Sequence, residues 1–135
     1  NEGSRTAIDM AFTDYLENKV LDYVFSGGSF SQPGTKYLAL YTVAPTDSSA
    51  GTEVTGGGYA RQTVTLTTSG SDTTNSAAVE YPTATAGYGT VVAVAVLDAS
   101  SGGNMLAYAS LTANKTIATG DVFRVPAGDL DISLN

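Results

Sequence analysis

The side chains of this chain that could do chemistry are its carboxylates, its tyrosines and a few cations, together with the bare amides of its glycine turns. They concentrate in EVTGGGYARQTV, residues 53–64, where an acid, three glycines, a tyrosine and an arginine fall close together. Such a glycine run could cradle a phosphate. A P-loop, however, needs Gly-x-x-x-x-Gly-Lys-Ser/Thr between a strand and a helix. Gly56, Gly57 and Gly58 instead run straight into an alternating, strand-like pattern with no Lys-Ser/Thr behind them. No βαβ unit surrounds them, so a dinucleotide site fails as well. The glycines read as a turn, where positive φ and close backbone approach are needed. Arg61 sits just past that turn, on the same strand face as Tyr59. Its fork suits a carboxylate or carbonyl partner, or stacking on an aromatic ring. Arg61 and Glu80 are both expected to have structural roles.

Paired acids are the next candidates, because glycoside hydrolysis uses two carboxyls about 5–10 Å apart across a cleft. Glu53, Glu80, Asp98, Asp121, Asp129 and Asp131 are the acids to consider. Most fall at predicted turns, where Asp and Gly form Asx turns, and one small domain leaves little room for a polysaccharide groove. Asp47, Asp129 and Asp131 offer hard oxygens to calcium, but no EF-hand loop is present. Asp129, Asp131 and Ser133 alternate with Leu130, Ile132 and Leu134, which makes them the solvent face of a strand. Tyr59, Tyr81, Tyr88 and Tyr108 lie near strand ends, where rings either stack on sugars or pack in the core and at subunit contacts. Their positions in the chain do not separate these uses.

The chain has no histidine and no cysteine. Ser-His-Asp and Cys-His nucleophile pairs and the usual zinc sites are therefore impossible, and most hydrolase chemistry goes with them. The expectation is a protein that is not an enzyme, with no catalytic, cofactor-binding or metal-binding residue. A net charge of −7, with only six scattered cations, is a poor footprint for nucleic acid or an anionic membrane. No long apolar run or signal-peptide pattern is seen.

These residues must be positioned by strands. Apolar residues make up 42% of the chain and charged ones only 14%, with Thr, Val, Tyr and Ala abundant, which suits sheets and argues against disorder. One helix is evident over residues 12–25: Phe12, Leu16, Val20 and Val24 recur every four residues, and Tyr15, Leu21, Tyr23 and Phe25 widen the stripe. Thr13 or Asp14 can cap its start, and Gly27 and Gly28 stop it. Short strands punctuated by turns follow. TVVAVAVLDA, residues 90–99, is apolar on both faces and reads as a central strand, with MLAYASLT as its hairpin partner. Val91 to Leu97 should be the most buried segment. Seven or eight strands at this spacing predict an all-β fold: an antiparallel β-sandwich, a jelly roll being one form of it, with one N-terminal amphipathic α-helix. Residues 12–135 form the single domain, and polar, aperiodic residues 1–11 read as a linker, leader or expression remnant.

DYLENKVLDYVF, LALYTVAPTD, GGGYAR, LDASSGGN and KTIATGD occur in an order that resembles a family of small virion proteins of tailed bacteriophages. Its members are labelled tail fibre, head decoration or virion structural proteins. The resemblance spans about residues 11–134 and leaves residues 1–9 outside. It implies a non-enzymatic component on the virion exterior, assembled in the host cytoplasm, that decorates the capsid or neck. The alternative is a tail-fibre or spike module whose loops bind host-surface glycan. The expected partners are capsid or tail proteins and other copies of the chain. Leu21 and Phe25, offset from the main helix stripe, leave apolar surface for a homo-oligomer, a trimer being the first expectation.

Overall fold

Strand β8 (Gly89–Leu97) is the axis of the computed structural model, which describes residues 8–133. It pairs antiparallel with β9 (Met105–Ile117) on one side and with β2 (Lys36–Val43) on the other. Val91, Ala93, Val94 and Ala95 are wholly buried, and only Val92 in the expected central segment keeps some exposure. The two faces differ in size. Leu38, Leu40, Val94, Val96 and Leu106 point into the main core, whereas Ala39, Tyr41, Ala93, Ala95 and Leu97 form a smaller one behind. The hairpin is closed at residues 98–104, where Asp98 Oδ1 accepts from the Asn104 amide at 2.7 Å. Lower down, Val91 faces Lys115 while Ala93 faces Ser110, so Leu111 to Asn114 bow out of β9 opposite Val92 alone.

Two short strands, β3 (Thr52–Glu53) and β4 (Gln62–Val64), line the outer side of β2. The other wing contains a hairpin, β5 (Leu66–Ser69) with β6 (Asp72–Asn75), next to β11 (Leu130–Ser133). Strand β1 (Ile8–Phe12) joins the wings. Ala11 and Phe12 pair antiparallel with Tyr108 and Ala107, and Ile8 to Met10 pair parallel with Leu130 to Ile132. A ribbon of β7 (Val79–Glu80) and β10 (Arg124–Val125) lays Val79 and Val125 on the same core.

The all-β expectation holds, and its details change. The main sheet runs through nine strands and is mixed, not purely antiparallel, because β1 leaves one wing for the other halfway along its length and pairs parallel with β11. Residues 8–11, expected in a linker, are part of this strand: Ile8 and Met10 are buried in the core. The rest of that expectation, residues 1–7, lies outside the described residues.

The helix, α1 (Asp14–Phe25), starts two residues later than expected. Thr13 caps it: its Oγ1 accepts from the Leu16 amide at 3.3 Å and donates to the Met105 carbonyl at 2.7 Å, tying the helix to β9. Asp14 and Glu17 complement the positive end of the dipole. Ser26 and Gly28 amides close the other end on the Asp22 carbonyl, with Gly27 at φ 77°. Only its first half packs, through Tyr15 and Leu16. Exposure runs from 56% at Leu21 to 78% at Phe25, and at 100° per residue Tyr23 points away from Leu21, Val24 and Phe25. The expected amphipathic helix is therefore an apolar projection, bare on more than one side. No helix of the described residues is long and apolar enough to cross a membrane.

Candidate functional site

The glycine turn and its surroundings form the densest polar cluster, built from three separate stretches of chain. Gly56, Gly57 and Gly58 all adopt positive φ, at 80°, 63° and 79°. At Gly57 a Cβ would lie 2.4 Å from the Ala86 carbonyl oxygen, so only glycine fits there. The Gly57 carbonyl accepts from the Thr85 amide at 3.0 Å, and the Tyr59 amide donates to Gly56 at the same distance. The run is a turn, as its sequence context implies.

That turn delivers Tyr59 and Arg61 to Glu53. Arg61 Nε and Nη2 donate to the two Glu53 carboxylate oxygens, each at 2.9 Å. Arg61 Nη1 donates to the carbonyls of Ala99 at 2.8 Å and Gly102 at 2.9 Å, in the β8–β9 loop. Tyr59 donates its hydroxyl to Glu53 at 2.6 Å and accepts from the Leu40 amide at 3.0 Å. Behind it the Tyr59 ring stacks on Tyr81 at 5.9 Å and meets Tyr88 edge-on at 5.8 Å, and Tyr81 in turn meets Phe123 edge-on. The Tyr81 hydroxyl donates to the Leu38 carbonyl.

The electrostatics follow from this geometry. Burial pushes the Glu53 carboxyl up, but the Arg61 and Tyr59 hydrogen bonds and the Arg61 charge outweigh it and hold the carboxyl below its usual value. The bond to Glu53 raises the Arg61 guanidinium against its burial. Burial, then the Glu53 charge, pushes Tyr41 up to about 12, and burial, then the bond to Glu53, raises Tyr59 further. At neutral pH the cluster is a carboxylate, a guanidinium and protonated phenols, and Glu53, Arg61 and Tyr59 are each already bonded within the chain. It clamps the turn, β3 and the β8–β9 loop together.

The other sequence candidates are placed apart. Glu80 lies 3.5 Å from Arg124 across the exposed ribbon. Asp98 holds Asn104, and Asp121 Oδ2 accepts from the Ala118 amide at 2.9 Å. Asp129 borders a groove beside β9, and Asp131 lies in β11, buried where a solvent-facing residue was expected. Leu130 and Ile132 face the core, as the alternation required. Among the described residues no three acids converge in a way that could hold a metal. The four tyrosines are placed differently: Tyr81 and Tyr88 are buried, Tyr59 packs on both, and Tyr108 donates its hydroxyl to Asp47. That last bond, then burial, pushes Tyr108 up to about 12.

The expectation of a carboxylate or carbonyl partner for Arg61 holds for both kinds at once. That the carboxylate is Glu53 and the carbonyls are those of Ala99 and Gly102 was not readable, since the β8–β9 loop lies some forty residues on. The Asp47–Tyr108 link gave no signal in either local pattern. None of the curated proteins compared with this chain matches it. Residues 11–133, nearly its whole length, match the family described as podophage GP4 fiber I protein gp80, and the chain belongs to that family of phage tail-fibre proteins.

Proposed function

We propose that the protein is a non-enzymatic structural component of a phage tail fibre, carried on the virion exterior and held there by other copies and neighbouring virion proteins. The fibre family supports a phage structural fibre protein, and the tail is proposed in place of the capsid or neck decoration that the resemblance implied. The observation that carries the structural reading is the Arg61 cluster. Its acid, its guanidinium and the Tyr59 hydroxyl are engaged in joining stretches of one chain. Host-glycan binding is the alternative; Tyr81 and Tyr88 are buried and Tyr59 packs on both, which leaves Tyr108 as the more accessible ring of the four.

Gold-labelled antibody on intact particles tests this reading. Label along the tail fibres is the expected result. Label over the head, or on broken particles alone, would refute it.

A further inference from the structure

We propose that copies of this protein join head to tail, the apolar tip of α1 on one copy seating in a cation-flanked groove at the far end of β9 on the next. The proposal deepens the fibre reading and rests on it only for the presence of many copies.

The tip is the last two turns of α1, where Leu21, Tyr23, Val24 and Phe25 are all more than half exposed. Contiguous exposed apolar surface of this kind marks an interaction site. Its electrostatics select the partner. The last turn carries Asp22 nearby and no basic residue, so the negative end of the helix dipole has no cation of its own. A second helix is a poor match. Each α1 carries Asp14, Glu17 and Asp22 against Lys19 alone, so paired helices would repel. Flat pairing would also cover Leu21, Val24 and Phe25 while leaving Tyr23 in water.

The groove is the complement. It measures about 530 Å³, has Leu111, Val122 and Pro126 among its apolar walls, and is flanked by Lys115 and Arg124 with Asp129 at its border. Two of the six cations of a strongly acidic chain are thus brought to one apolar cleft. Lys115 makes no ion pair among the described residues, and Arg124 shares only the exposed Glu80. The cleft exists because β9 bows out at residues 111–114 where β1 turns away to β11. A concave site accepts a projection that is apolar on several sides, and its cations answer both Asp22 and the helix end.

Position settles which copy is joined. The helix is anchored at Met105 and the groove lies around Lys115, at opposite ends of β9 and on the order of 20–30 Å apart at strand spacing. None of the tip residues lines the groove of its own chain. Joining two different surfaces is a heterologous contact, which builds rings if it closes and filaments if it does not.

Sedimentation velocity on the purified chain tests the proposal with two double variants at exposed positions, their folds checked by circular dichroism. The wild type should associate in a concentration-dependent way. Leu21→Asp with Phe25→Asp removes the tip, and Lys115→Glu with Arg124→Glu removes the groove. Each alone should weaken association by about thirtyfold or more, as loss of an interface hot spot does. An equimolar mixture of the two should recover one-to-one dimers and nothing larger, because each variant keeps one working face. A groove variant that still self-associates would overturn the proposal, as would a mixture that stays monomeric. So would a wild type that is monomeric at every concentration. Particle labelling away from the fibres would sink the fibre reading and leave this result standing.

Discussion

Arg61 and Phe25 break the usual placement of their residue types in opposite directions. The Arg61 side chain is 8% exposed, and Phe25 is 78% exposed. Buried arginines occur where they are paired, and this one is: a bidentate carboxylate and two carbonyls take up four of its five donors. Phe25 has no such compensation among the described residues. The contrast shows what each region is for. A charge inside has been answered during folding by residues from two other stretches of sequence, β3 and the β8–β9 loop. An apolar tip outside has not been covered among the described residues, and is proposed to seat on another copy. Variants in the first region should act on stability, and variants in the second on association.

The largest break in that contrast should come from Tyr81→Ala. It opens a cavity under Tyr59, removes two ring contacts and leaves the Leu38 carbonyl without its donor. Urea denaturation should show a loss of about 4 kcal/mol, and a loss no greater than that of a surface change would remove this ring from the core.

Arg61→Ala should cost less, about 2–3 kcal/mol near neutral pH, because Glu53 is left partly buried without its cation. This cost depends on pH with a definite sign. The folded Glu53 carboxyl sits below its usual value, so its contribution is complete above about pH 5 and is lost as pH falls through the lower, folded value. The stability gap between wild type and Arg61→Ala should therefore narrow in acid. A gap that is constant from pH 7 to pH 3 would mean that the pair contributes nothing electrostatic.

The smallest effect belongs to the tip. Leu21→Asp with Phe25→Asp should change the unfolding free energy of the isolated chain by no more than about 0.5 kcal/mol, as surface changes do. A larger loss in denaturant titration would show that the tip is part of the fold after all.

The parts of this architecture that were legible in the sequence are those with local causes. Val91 to Leu97 is apolar on both faces, and any strand with that pattern must lie between two layers. Three glycines followed by alternation gave the turn, and Thr13 before an apolar stripe gave the cap. Strand β1 was missed because Ile8, Met10 and Phe12 make only a short alternation, and its partner Leu130 lies at the other end of the chain. Period-2 alternation reveals a strand but not its neighbour, so the parallel pair and the continuous sheet were invisible too. Tyr81 and Tyr88 could not be told from surface rings because tyrosine suits both settings, and only the packed core decides between them. The apolar tip was half visible: the excess stripe could be seen, but not that the last two turns of the helix would stay out of the core.

The pairing of β1 with β11 also fixes how the molecule carries tension. These strands lie side by side and parallel, so the chain enters at the Ile8 end of the pair and leaves at the Ser133 end. A pull between those two points runs along the strands, and the hydrogen bonds joining them are loaded together in shear. In an antiparallel arrangement with both points at one end, the same pull would open the bonds one at a time, like a zipper. The neighbouring β1–β9 and β6–β11 pairs flank this junction on either side and share its load. A pulled chain therefore meets the resistance of a whole strand pair before any single bond gives way.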